Sequence, residues 1–103
     1  RAALVWIRVF GRWNMATVHF APHIAKHIAV EPTTVDAKTV AEALLAVFEQ
    51  TPGLRGYVLD DQGALRKHVM IFVDSEFLAD RAKQSDGVSA ETQIHVMQAL
   101  SGG

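Results

Sequence analysis

Thr92-Gln93-Ile94-His95-Val96-Met97-Gln98 runs without a break into Ala99-Leu100-Ser101-Gly102-Gly103. The first seven residues alternate polar and apolar, the period of a half-buried strand. The two glycines carry no Cβ, so the tail is thin and can adopt conformations closed to other residues. A strand feeding such a tail can present the Gly103 carboxylate to a partner's pocket. It is equally the composition of a frayed end, where glycine is at home. What precedes the tail decides between these readings.

Working backward, His68-Val69-Met70-Ile71-Phe72-Val73-Asp74 is the most strand-like run in the chain, rich in β-branched and aromatic residues. A further short strand is expected around Glu76-Phe77-Leu78. Ala79 to Glu91 is polar and reads as loop with at most one helical turn. Asp60-Asp61-Gln62-Gly63 reads as a turn, anchored by Tyr57, Val58 and Leu59 before it and Leu65 after it.

Thr39-Val40-Ala41-Glu42 has the form of a capping box. The threonine hydroxyl accepts from the Glu42 amide, and the glutamate reaches back to the Thr39 amide. Val40, Leu44, Val47 and Phe48 then fall at i, i+4, i+7 and i+8, one face of an amphipathic helix. Thr51-Pro52-Gly53 ends it. Upstream, Thr17-Val18-His19-Phe20 alternates, Pro22 and His23 interrupt, and His27-Ile28-Ala29-Val30-Glu31 alternates again up to Pro32. That pattern predicts two strands joined as an antiparallel hairpin.

The order is strand, strand, helix, strand, short strand, strand. One main helix against one face of a mixed sheet of four to five strands is an α+β arrangement. Residues 15–98 form one domain, with 99–103 as a flexible tail. Met15 opens the regular pattern and reads as a natural start. Residues 1–14 then read as a leader, remnant or appended arm. They are too short and too arginine-punctuated for a secretory signal. Val5 to Phe10 has the composition of an edge strand.

The chain has 103 residues, half of them hydrophobic and a fifth charged, which suffices for one small globular core. A formal net charge of −1 argues against a nucleic-acid footprint. With no cysteine there is no disulfide framework, thiolate metal site or cysteine nucleophile, and the composition fits a cytoplasmic protein. No apolar run approaches the ~20 residues that a membrane span needs.

Alternation sorts the strand side chains onto two faces. Val69, Ile71 and Val73, Ile94 and Val96, and Val18 and Phe20 are expected to pack on the helix. The opposite face then carries His68, Met70, Phe72, His95 and Met97, together with Thr17 and His19. An outward sheet face is normally polar. A contiguous apolar patch there marks a contact surface, and methionine suits adaptable contacts. Either the arm, through Trp6, Ile7, Val9 and Phe10, or a loop covers it, or a partner does.

Side-chain chemistry is sparse. His19, His23 and His27 recur every four residues, but on a strand–loop–strand path that spacing assembles no metal site. No serine has a motif linking it to a base. Asp60-Asp61 and Glu49 read as solvated charges, and no phosphate-binding glycine loop is present. No metal or cofactor is expected to be bound.

The element order, the run His68 to Asp74 and the ending Val96-Met97-Gln98-Ala99-Leu100-Ser101-Gly102-Gly103 resemble the MoaD/ThiS sulfur-carrier family over Met15 to Gly103. Val73-Asp74 stands where Val-Asn is common in that family, and Ala99-Leu100-Ser101 where Ala-Val-Ser or Ala-Val-Ala is. The resemblance implies a ubiquitin-like β-grasp fold, with the last strand beside the first at the sheet's centre. It implies a carrier that is not itself an enzyme. An E1-like adenylating and sulfurating enzyme, using ATP, would convert the Gly103 carboxylate to a thiocarboxylate. A synthase would then accept the sulfur. Ala99, Leu100, Ser101 and Gly102 would enter the partner pockets, and His68, Met70, Phe72, His95 and Met97 would form the docking face. The long connection from Pro52 to Lys67 looks more like the molybdopterin synthase small subunit or the cysteine-biosynthetic carrier than the thiamin-pathway carrier. Gly63-Ala64-Leu65-Arg66-Lys67-His68-Val69 leans toward the cysteine type. The alternatives are a ubiquitin-like modifier conjugated through Gly103 and a plain β-grasp interaction module.

Overall fold

The computed structural model describes residues 15–21 and 31–98. Five strands form one sheet: β1 (Met15–Phe20), β2 (Thr33–Asp36), β3 (Val69–Val73), β4 (Glu76–Phe77) and β5 (Gln93–Gln98), in the order β2-β1-β5-β3-β4. β1 and β5 lie parallel at the centre, with Val18 opposite Ile94 and His19 opposite His95. The neighbouring pairs, β1–β2 and β3–β5, are antiparallel.

Helix α1 (Val40–Gln50) packs its buried face of Val40, Ala43, Leu44, Val47 and Phe48 toward the sheet. Ala16, Val18, Val69, Ile71, Ile94 and Val96 meet it from the strands. Ala16 and Ala43 join the residues that alternation assigns to the inner face, of which Phe20 and Val73 are only partly buried against the core. Thr39 caps the helix by accepting from the Glu42 amide at 3.2 Å. The reciprocal bond differs from the expected box, because Glu42 Oε1 accepts from the Lys38 amide at 2.9 Å rather than from Thr39. The helix stops at Gln50. A short 3₁₀ turn (Pro52–Leu54) and one turn of helix, α2 (Arg55–Val58), follow. Leu54 and Val58 sink into the core and hold that connection down. Leu59 then bridges Leu65 around the turn at 60–63, and Gly63 adopts φ +84°, where a side chain would be strained.

The described residues add a strand that alternation does not single out. It spans Thr33–Asp36, beyond Pro32, and pairs antiparallel with β1. Glu31 is outside it, and residues 27–30 of the expected strand lie outside the described residues. So do His23, the arm at 1–14 and the tail at 99–103.

The β3–β4 connection is a two-residue hairpin turn. Asp74 and Ser75 both have positive φ, 49° and 76°, the geometry that matches the twist of the flanking strands. Asp74 also extends the sheet. Its amide donates to the Gln93 carbonyl, and its Oδ1 accepts from the Gln93 amide, both at 2.9 Å.

The segment between Leu78 and Thr92 has neither helix nor long strand, yet it is tightly pinned. Asp86 Oδ1 and Oδ2 accept from the amides of Asp80 and Ala79. Gln84, 3% exposed, donates to the carbonyls of Gly63 and Arg81. The Asp80 carboxylate accepts from the Ser85 hydroxyl and from the amides of Lys83 and Ser85. These bonds, the hydroxyl first, hold its pKa below the usual carboxylate value.

Candidate functional site: the outer sheet face and the root of the tail

The sheet's second face carries no helix among the described residues. Its side chains follow from the register. His19 on β1 faces His95 on β5, His95 faces Phe72 on β3, and Phe72 faces Phe77 on β4. One row therefore crosses four strands. The rings of His19 and His95 stack at a centroid distance of 4.4 Å and an interplanar angle of 8°. Those of Phe72 and Phe77 lie 4.6 Å apart, tilted by 35°. One step toward the end of β5, Met70 faces Met97. One step the other way, Gln93 Oε1 pairs with His19 Nε2 at 2.7 Å, and Thr17 meets Thr34 at 3.2 Å.

The polar and apolar parts of this face are thus segregated. Threonine and glutamine occupy the end where β1 and β5 begin. Aromatic, imidazole and thioether groups occupy the end from which β5 leaves the sheet. Phe77 is 69% exposed and Met97 36%. Phe72, Met70, His95 and His19 are partly covered by one another.

Met70, Phe72, His95 and Met97 come together on this face, as the alternation predicts. His68 does not join the row. It lies in the exposed turn that precedes β3, beside the end of β5, because Val69 opposite Gln98 is the first paired position. Phe77 is a member of the row that the sequence reading left out. The signal was present: a two-residue turn at Asp74-Ser75 places Val73 opposite Glu76 and Phe72 opposite Phe77. Ala99, Leu100, Ser101, Gly102 and Gly103 lie outside the described residues. Among the described residues no three His, Asp or Glu side chains gather as metal ligands. None of their helices is long and apolar enough to cross a membrane.

No family model matches the chain, and no curated protein sequence does. Solved structures do match. SAMP1 from Haloferax volcanii superposes with a TM-score of 0.74 at 22% identity, covering 87% of this chain and 100% of that one. The Amycolatopsis orientalis BexX/CysO complex contains a chain that matches with a TM-score of 0.72 at 17% identity, over 85% of this chain and 99% of that one. Urm1 from Trypanosoma brucei matches at 0.55 and 18% identity, over 89% and 98%. At such identities the likeness speaks for the fold, and it agrees with the parallel β1–β5 pair flanked by antiparallel neighbours. The chain folds as a ubiquitin-like β-grasp domain.

Proposed function

We propose that this chain is a sulfur carrier whose working group is the carboxylate of Gly103. The observation that carries the reading is the central strand β5: paired parallel to β1 at the heart of a β-grasp sheet, it leads directly into Ala99-Leu100-Ser101-Gly102-Gly103. Its structural neighbours, SAMP1, CysO and Urm1, are ubiquitin-like sulfur carriers or modifiers, which supports this assignment.

A carboxylate is a poor electrophile, because its charge repels nucleophiles and its oxygen leaves badly. An E1-like partner removes both obstacles with ATP. The Gly103 carboxylate attacks the α-phosphorus, pyrophosphate departs, and an acyl-adenylate forms. Hydrosulfide-level sulfur then attacks the acyl carbon and AMP leaves, which yields the thiocarboxylate. That sulfur is nucleophilic at neutral pH and passes to an acceptor held by a synthase, in a cysteine-type or molybdopterin-type pathway in the cytoplasm. The protein contributes no catalytic side chain of its own. Its part is to be gripped by the face of Met70, Phe72, Phe77, His95 and Met97 while Gly102 and Gly103 thread a channel too narrow for side chains.

A second reading draws on two of the neighbours, small archaeal modifier proteins by name. The same activated carboxylate can acylate a lysine amine and form an isopeptide bond.

Removing Gly102-Gly103 tests the site. The shortened chain is expected to lose ATP-dependent activation while its folding free energy stays within about 0.5 kcal/mol, as for surface changes generally. A large stability loss would assign the tail a structural role instead.

A further inference from the structure

Among the described residues charge is unevenly placed along the β5 axis. Glu91 precedes the strand, Asp74 bonds its first residue, Glu76 follows Asp74, and Asp36 pairs with Met15 beside them. That end is acidic. At the other end, about 17 Å away at the usual rise per strand residue, Val69 pairs with Gln98 and the tail begins. The described residues hold six arginines and lysines: Lys38, Arg55, Arg66, Lys67, Arg81 and Lys83. Three of them, Arg66, Lys67 and Arg81, flank this root, and Arg55 precedes a residue bonded to it. The Arg81 guanidinium donates to the carbonyls of Val69 at 3.0 Å, Arg66 at 2.7 Å and Lys67 at 3.4 Å. Arg66 Nε donates at 2.7 Å to the carbonyl of Gly56, the residue that follows Arg55.

Among the described residues none of the four is ion-paired. Of the three carboxylates in the neighbouring turns, two are held by hydrogen bonds of their own. Asp80, next to Arg81, is bonded into its own loop. Asp60 accepts from the amides of Gln62 and Ala64. Asp61 sits exposed at the tip of that turn. The fold accounts for Arg81 and in part for Arg66. It does not account for Arg55 and Lys67, whose exposed side chains make no hydrogen bond among the described residues.

Five residues beyond Gln98 reach at most about 17 Å. A partner that takes Gly103 into its pocket must therefore bring the pocket's rim against this root. We infer that Arg55, Arg66, Lys67 and Arg81 form a cationic collar that docks on an acidic rim around the activating partner's pocket, and that the collar steers the tail in. The inference rests on the carrier reading above. Such focused charge raises association rates by 10 to 10³-fold, an effect that salt removes.

The test uses the full chain and the E1-like enzyme that activates it, following pyrophosphate release against carrier concentration. Lys67→Glu with Arg55→Glu should raise KM about tenfold at low salt with kcat little changed, at a cost that vanishes near 0.5 M salt, where screening lengths fall to a few Å. Lys38→Glu, the same charge change at the acidic end, should leave KM near the wild-type value, and circular dichroism should show all variants folded. If wild type is activated and the double variant keeps its KM, the collar inference fails and the carrier reading stands. A lower KM would also overturn it, since the collar would then be holding its own tail carboxylate back. If wild type is not activated, both readings fail.

Discussion

His19 and His95 stack across the central parallel strand pair, their ring centroids 4.4 Å apart and their planes 8° from parallel. Parallel pairing brings them level because Val18 opposite Ile94 fixes the register from the buried side. The stack joins the only parallel ladder of the described sheet to the apolar row on β3 and β4. Stacked aromatic pairs contribute about 0.5–1.5 kcal/mol beyond their burial. A double-mutant cycle of His19→Ala and His95→Ala, measured by urea unfolding, should return a coupling energy in that range. Additive single effects would show that the two rings are neighbours without energetic consequence.

Met97 tests whether the outer face is used. It is 36% exposed, so Met97→Lys should change folding stability by no more than about 0.5 kcal/mol. In a docking face it should weaken partner binding about tenfold or more, the effect of losing one well-packed interface contact. Titration calorimetry with the activating enzyme decides this. Unchanged affinity would move the docking surface elsewhere.

The Asp74-Ser75 turn holds a serine at φ 76°, a conformation glycine adopts without a Cβ penalty. Ser75→Gly creates the Asp-Gly pair favoured in such turns and should raise stability by about 0.5–1 kcal/mol, despite the added freedom of the unfolded chain. Thermal unfolding would show a higher midpoint. A lower midpoint would mean that the serine side chain supports the turn in a way its geometry does not reveal.

Asp80 gives the fold a sensitivity to acid. Its pKa is lowered in the folded state, chiefly by the Ser85 hydroxyl and then by backbone amides. A depressed carboxylate contributes stability above its unfolded pKa, near 3.8, and that stability is lost as pH falls through the folded value. Asp80→Asn should therefore lower the unfolding midpoint at neutral pH, and the gap from wild type should close on acidification below about pH 4. A gap that persists unchanged into acid would assign the loss to geometry rather than charge.

The elements that sequence made legible are those with a long period or a buried face. Val40, Leu44, Val47 and Phe48 announce α1 because four apolar residues recur on one side of it. Val69, Ile71, Ile94 and Val96 announce β3 and β5 because every second residue is buried. Strand β2 was not legible for a physical reason: in Thr33-Thr34-Val35-Asp36 only Val35 is buried. An edge strand of four residues carries too little pattern to compete with the better alternation before Pro32. Helix α2 is a single turn containing Gly56, and its stability comes from burying Leu54 and Val58, so propensity gives no sign of it. Met70, Phe72, His95 and Met97 were legible as one face, but the His19–His95 stack and the place of Phe77 depend on register, which single strands do not encode. The collar was hidden because Arg66 and Arg81 are held by hydrogen bonds to backbone carbonyls that no motif marks.

Intact mass of the full chain after incubation with an E1-like activating enzyme, ATP and a sulfide source tests the central claim most directly. The account predicts a mass rise equal to one oxygen replaced by sulfur, dependent on ATP and lost when Gly102-Gly103 is removed. An unchanged mass under conditions in which the enzyme activates its own established carrier would contradict it.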